Sequence, residues 1–300
     1  MKFAAIDIGS NAARLLFCNV FEREKEIVFK KEELFRVPIR LGEDVFSKGY
    51  ISDEKKERLI KIVHAFSLLI DVGQVISYRA CATAAMREAA NGQQILEEIK
   101  KITGINVEVI DGSTEAQLIY ANHIAEELEP NIGYLYIDVG GGSTECTLFY
   151  NGKTIFSRSY NIGTIRMLQN KVSKEYFSEF KSQIRELTAD YKALVGIGSG
   201  GNINKIIKMA KKQNKPLTLA KLHEINDNIK SYSLNDRIEV LGLKPDRADV
   251  IEPALKIFIT IMEHTGINYL VVPEIGLADG IVHALYETHK SNQQGNLLPA

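Results

Sequence analysis

The stretch Ile137-Asp138-Val139-Gly140-Gly141-Gly142-Ser143 decides how this chain is read, because the same phrase stands near its start as Ile6-Asp7-Ile8-Gly9-Ser10. Each copy opens as an apolar strand and places one carboxylate at its end. It then turns on glycine and re-enters an apolar run, Arg14-Leu15-Leu16-Phe17 in the first copy and Cys146-Thr147-Leu148-Phe149 in the second. Glycine lets the backbone come close to a ligand, so successive amides can point at phosphate oxygens. An aspartate beside such a loop repels phosphate unless a divalent cation stands between them. Two copies therefore predict two walls of one metal-phosphate cleft.

Working outward, residues 25–38 read as a third strand after the first hairpin. Ser52 then caps a helix whose stripe is Leu59, Ile62, Val63, Phe66, Leu69 and Ile70. Strands at 75–79 and 105–110 alternate with short helices at 84–90 and 93–103, the last stopped by Gly104. A helix capped by Ser113 follows, running through Leu118, Ile119 and Ala121. The second half repeats this plan, with strands at 134–139, 145–150 and 154–160, and Asn151-Gly152 as the turn between the last two. A helix at 174–191, a strand at 194–197 and the loop Gly198-Ser199-Gly200-Gly201-Asn202 come next. Residues 217–231 and 246–264 read as helical, with Pro253 kinking or restarting the latter. A strand at 270–274 leads through Gly276 and Gly280 into a last helix, and 291–300 reads as a frayed tail. The expected architecture is α/β in two duplicated domains, 1–116 and 117–300, with the final helix free to pack back on the first.

Composition narrows the function. The 300 residues are 45% hydrophobic and 25% charged, enough for two ordinary cores. A net charge of −1 argues against a nucleic-acid binder and leaves anion binding to local geometry. Cys18, Cys81 and Cys146 are too few and too scattered for a disulfide framework or zinc site, which fits reduced thiols in a cytoplasm. Asp7 interrupts the first apolar run, so the start reads as a core strand rather than a signal peptide. No stretch approaches the roughly 18–20 apolar residues of a membrane span. None of the six histidines, His64 and His123 included, shows nucleophile or metal-ligand spacing.

Two strand-Asp-Gly hairpins related by duplication resemble the actin-like (ribonuclease H-like) ATPase superfamily, which includes sugar kinases, acetate kinase and heat-shock chaperone ATPases. A narrower resemblance rests on several runs in order: Asp7-Ile8-Gly9-Ser10-Asn11-Ala12-Ala13-Arg14, Ala82-Thr83-Ala84-Ala85-Met86-Arg87-Glu88-Ala89, Gly112-Ser113-Thr114-Glu115-Ala116-Gln117 and Asp138-Val139-Gly140-Gly141-Gly142-Ser143-Thr144-Glu145. Gly198-Ser199-Gly200-Gly201, Arg247-Ala248-Asp249 and Gly276-Leu277 extend it. The chain resembles the exopolyphosphatase and guanosine pentaphosphate phosphohydrolase (Ppx/GppA) family in its short two-domain form. This resemblance implies twisted mixed sheets flanked by helices, with the active site in the cleft between domains. It also implies hydrolysis of a terminal phosphoanhydride.

The roles it implies are specific. Glu115 matches the glutamate that activates water, although an acid in a first helical turn is also favoured by the macrodipole. Arg87 matches an arginine that grips the transferred phosphoryl group, while an arginine on a short helix is ordinarily a solvated charge. Asp7 and Asp138 hold magnesium, against the commoner turn role of aspartate before glycine. Gly9, Ser10, Asn11 and Arg14, then Gly140, Gly141, Gly142 and Ser143, clasp phosphate, and Gly198, Ser199, Gly200 and Gly201 provide a further anion loop. Glu145 either orients water or magnesium or is an outward strand residue. Lys205, Lys208, Lys211, Lys212 and Lys215 form a solvated face or a polyphosphate track. Inorganic polyphosphate is the first-choice substrate and guanosine pentaphosphate the alternative. A superfamily kinase and a catalytically dead binding regulator are the rivals, and a homodimer is among the open assembly states.

Overall fold

The computed structural model of the chain describes residues 1–24, 26–120, 129, 131–211, 215–273 and 275–295. It divides into two compact units, Met1–His123 with Leu277–Ala300 and Ile124–Gly276. The division differs from a cut at 116/117 because the last segment joins the first unit, the packing-back that the sequence left open.

The first unit contains β1 (Lys2–Ile8), β2 (Ala12–Glu22), β3 (Ile27–Pro38), α1 (Leu41–Lys48), α2 (Asp53–Gly73), β4 (Ser77–Ala82), α3 (Ala84–Glu88), α4 (Gly92–Thr103), β5 (Val107–Val109) and α5 (Gly112–Tyr120). The second contains β6 (Gly133–Val139), β7 (Thr144–Tyr150), β8 (Lys153–Tyr160), α6 (Thr164–Leu168), α7 (Lys174–Thr188), β9 (Leu194–Ser199), α8 (Gly201–Met209), β10 (Leu217–Thr218), α9 (Leu219–Lys230), α10 (Leu234–Glu239), α11 (Pro245–Ala248), α12 (Ile251–Thr265) and β11 (Tyr269–Val271). The chain then returns to the first unit as α13 (Leu277–Gly295).

The first sheet runs β3-β2-β1-β4-β5 and the second β8-β7-β6-β9-β11-β10, so β1 to β5 correspond to β6 to β9 and β11. In each, an antiparallel meander supplies one side and parallel strands the other, with β10 added antiparallel at the edge of the second sheet. Phe3 to Ile8 are all buried, as a central strand covered on both faces requires. Because β1, β4 and β5 are parallel neighbours, the segments leaving their C-terminal ends converge on one edge of the sheet, where open α/β sheets bind ligands. The ends of β6, β9 and β11 converge likewise in the second unit.

α13 lies across β1, β2 and β4 and beside α5. Tyr286 meets Phe3 and Phe29 edge-on, and its hydroxyl donates to Glu22 Oε1 at 2.8 Å. Ile281, Val282 and Tyr286 are buried there, and each fully buried large side chain contributes about 1.5–3 kcal/mol. The second core gathers Leu135, Ile137, Phe180, Ile203 and Phe258 between sheet and helices.

Several local expectations are corrected. Ser52 precedes α2, but its hydroxyl donates to Asp44 instead of accepting a helical amide. Ser113 lies inside α5, whose cap is Asp111. Pro253 sits in the first turn of α12, where its missing N–H has no partner to lose, so the helix restarts rather than kinks. Residues 291–295 continue α13, and 296–300 lie outside the described residues, as do Ala121, His123 and Lys212. Among the described residues no helix is long and apolar enough to cross a membrane.

Candidate active site

In the first unit, Asp7 is the next-to-last residue of β1, is 3% exposed and faces Arg14 across the hairpin; their side chains form an ion pair. Gly9 N–H donates to Ala12 O at 3.1 Å and closes the loop. Ser10 is buried, and its carbonyl accepts from Gly42 N at 2.9 Å. The Asn11 carbonyl accepts from Ile39 N at 3.1 Å and Arg40 N at 3.0 Å. At the neighbouring strand end, Thr83 N donates to Ile8 O at 3.1 Å, carrying the chain into α3 and the exposed Arg87. Arg87 Nη1 donates to Ile110 O at 2.8 Å and ties α3 to the entry of α5. There Asp111 Oδ1 accepts from Thr114 N at 2.7 Å and Ser113 Oγ at 3.0 Å. Those bonds hold the Asp111 carboxyl below its ordinary value. Glu115 follows half-buried in the first turn, its N–H on Asp111 O at 3.0 Å.

Asp7 and Glu115 both act on Cys81, which lies in β4. Burial first, with Glu108, Asp7 and Glu115 adding, pushes that thiol up to about 12. Cys81 is therefore inert at neutral pH, while Asp7 stands near the C-terminal end of β1 and Glu115 just beyond that of β5, strands that run parallel on either side of β4.

In the second unit Asp138, 8% exposed, stands opposite Glu145, 2% exposed. Ser159 Oγ donates to Glu145 Oε1 at 2.8 Å. The equivalent of Arg14 is thus a second acid, and Glu145 is buried rather than outward-facing. Gly200 has φ +98°, and a Cβ on it would lie 2.7 Å from Asp138 Oδ1, so glycine is required where the carboxylate meets the third loop. Ser199 Oγ donates to Ile275 O at 3.1 Å, and Gly201 opens α8 with its carbonyl held by the Arg247 guanidinium. The second loop closes through Gly140 N on Ser143 O at 3.0 Å. Lys205 Nζ donates to Gly242 O at 3.4 Å, whereas Lys208, Lys211 and Lys215 are exposed.

The structure therefore gathers Asp7, Gly9, Ser10, Asn11, Arg14, Arg87 and Glu115 at one sheet edge. Asp138, Gly140 to Ser143, Glu145 and Gly198 to Gly201 gather at the other. Among the described residues no three His, Cys, Asp or Glu side chains are grouped to hold a metal. The opposed oxygen donors of Asp138 and Glu145 nevertheless suit magnesium, which uses one or two carboxylates with water and substrate phosphates. The segments 39–42 and 163–166, which support the two loops, escape the motif reading. Their signal is a repeated pattern after the third strand of each half, Ile39-Arg40-Leu41 and Ile165-Arg166-Met167.

Residues 27–289 match the model of the Ppx/GppA phosphatase family. The chain is 29% identical to the bifunctional 3-dehydroquinate synthase/phosphatase of Fusobacterium nucleatum, over 95% of this chain and 46% of that protein. It thus spans about half the length of this curated relative. It shares its fold with an exopolyphosphatase from Cytophaga hutchinsonii, with a TM-score of 0.85, 21% identity and coverage of 96% and 98% of the two chains. The Aquifex aeolicus Ppx/GppA family member superposes with a TM-score of 0.75 at 25% identity, again over 96% and 98%. The duplicated sheets are those of the actin-like fold, and the chain belongs to the Ppx/GppA phosphatase family.

Proposed function

We propose that this protein is an exopolyphosphatase that removes the terminal phosphate of inorganic polyphosphate with magnesium. The observation that carries the reading is Glu115, in the first turn of α5, which follows β5 at the end of the first sheet where the Asp7 loop also leaves β1 and where Arg87 is tied to Ile110 O. In the proposed reaction its carboxylate takes a proton from water. The water oxygen bonds to the terminal phosphorus as the bond to the bridging oxygen breaks. Phosphate and a chain one unit shorter leave, with the electron pair of the broken bond on the bridging oxygen. Arg87 and the loop amides meet its equatorial oxygens. Asp138 and Glu145 would hold magnesium, which when bound supplies positive charge between carboxylates and phosphate. Exposed Lys208, Lys211 and Lys215, beyond a third glycine loop, favour a long repeating anion over guanosine pentaphosphate. Buried, unpaired thiols at Cys18, Cys81 and Cys146 suit a reducing cytoplasm.

The test is phosphate release from polyphosphate and from guanosine pentaphosphate, with and without magnesium, for the wild type and Glu115→Gln. Glu115→Gln should lower kcat on polyphosphate by at least about 10²-fold with KM within a few fold. Near wild-type turnover in that variant removes Glu115 from the role of base. Preferential release from guanosine pentaphosphate moves the substrate.

A further inference from the structure

The chain after β8 turns back behind the second glycine loop and takes its carbonyls one after another. Thr164 N donates to Gly140 O at 3.0 Å, Ile165 N to Gly141 O at 2.9 Å, and Arg166 Nε to Gly142 O at 2.6 Å. The approach is close, since a Cβ on Gly163 would overlap the backbone of Gly141 and Gly142. Thr144 Oγ1 donates to Ile162 O and ties the turning segment to β7.

In a planar trans peptide the N–H points opposite to the C=O. With the carbonyls of Gly140, Gly141 and Gly142 aimed at 164–166, the amides of Gly141, Gly142 and Ser143 aim away from it. Among the described residues none of those three amides donates to another protein group. Gly142 and Ser143 are buried, so the loop presents preset donors for an anion. The first loop is backed at the corresponding place in the other half by main-chain bonds: Gly42 N on Ser10 O, and Ile39 and Arg40 N on Asn11 O. In the second loop a side chain, Arg166, holds the last carbonyl.

We infer that Arg166 is a positioning residue that fixes the peptide plane between Gly142 and Ser143, and so aims the Ser143 amide at the charge developing on the transferred phosphoryl group. The inference rests on the phosphate-loop reading above. It differs from a general structural role because the donors it aims matter most where charge accumulates, so its loss falls on kcat more than KM.

The experiment compares wild type, Arg166→Gln and Arg166→Lys in polyphosphate turnover, with hydrogen exchange of the 139–145 segment measured with and without magnesium and inorganic phosphate. Arg166→Gln should lose about 10-fold in kcat with KM within about two-fold, and should lose most of the phosphate-induced protection of the segment. Arg166→Lys keeps a donor and should recover part of both. Should Arg166→Gln fail to fold, Arg166→Lys at wild-type Tm decides, and a several-fold drop in kcat is expected. Wild-type kcat and protection in a folded variant overturn the role of Arg166 alone. Absence of phosphate protection in the wild type overturns the phosphate-loop reading itself.

Discussion

The two hairpins share a backbone and differ in charge. In the first, a buried aspartate faces an arginine; in the second, a buried aspartate faces a glutamate. The Asp7–Arg14 pair largely neutralises itself within the protein. Two carboxylates opposite one another on paired strands repel, and burial strengthens the repulsion because little water screens it. One duplicated scaffold therefore yields two different tools. The first half places Glu115 and Arg87 near its strand ends, and the second places two opposed carboxylates, Asp138 and Glu145, at its own.

The strongest way to break this comparison is to neutralise the acids one at a time. Asp138→Asn and Glu145→Gln should each lower kcat by about 10²-fold or more and raise the magnesium concentration needed for half-maximal activity. Asp7→Asn should cost less and leave the magnesium requirement near that of the wild type. Metal-free stability supplies an independent reading. Removing one of two opposed acids should raise Tm without magnesium, whereas Asp7→Asn or Arg14→Gln should lower it by leaving a charge without its ion-pair partner. Calorimetric magnesium titration checks the first pattern and thermal melts the second. Equal shifts in magnesium dependence for Asp7→Asn and Asp138→Asn would restore a cation shared symmetrically.

Much of this was legible in the sequence because duplication repeats strong local signals. Ile6-Asp7-Ile8-Gly9 and Ile137-Asp138-Val139-Gly140 announce strand, acid and turn in four residues each. The contrast between Arg14 and Glu145 was also there, but their facing positions depend on hairpin register, set by a turn that single-residue patterns do not count. α1 and α6 escaped because they are eight and five residues long and lack side-chain caps; Arg40, before α1, has φ 54°, a conformation that branched sequence signals do not mark. α13 carries an apolar stripe, but a stripe does not say which sheet it covers. Its place on the first unit follows from Tyr286 meeting Phe3 and Phe29, a long-range match no window reveals.

The comparison sharpens further beyond β4 and β9. α3 carries Arg87 and then Glu88, whereas α8 carries Lys205 and Lys208 and is followed by Lys211. If only the second half leads an extended anion outward, Lys208→Glu with Lys211→Glu should lower kcat/KM for polyphosphate of tens of units by a few fold and leave tripolyphosphate unchanged. The difference should shrink as salt rises toward about 0.15 M and beyond, where exposed charges are screened over about 8 Å. Kinetics on both lengths at two ionic strengths measure it; equal losses on both would make the lysines a solvated face.

The smallest expected effect lies in how the two loops are held from behind. The first depends on α1, whose entry residue Arg40 backs Asn11 and whose buried Asp44 accepts from Ser52 N at 3.1 Å, Ser52 Oγ and Lys48 Nζ at 3.1 Å. Burial pushes the Asp44 carboxyl up, but the Ser52 bonds, then Lys48 and Lys55, outweigh it and hold the group below its ordinary value. A depressed carboxyl stabilises the fold fully above its unfolded pKa of about 3.9, and that contribution is lost as pH falls through the lower folded value. The last carbonyl of the second loop hangs on the Arg166 guanidinium, with no carboxylate in the bond. Asp44→Asn should therefore lower Tm at pH 7 by roughly 2–4 °C, a loss on the order of 1 kcal/mol, with the deficit against wild type narrowing as pH drops below about 4. Arg166→Gln should show a pH-independent deficit over the same window. Thermal melts of both variants from pH 7 to pH 3 decide the matter: parallel curves for the two would mean that the loops are backed by the same chemistry after all.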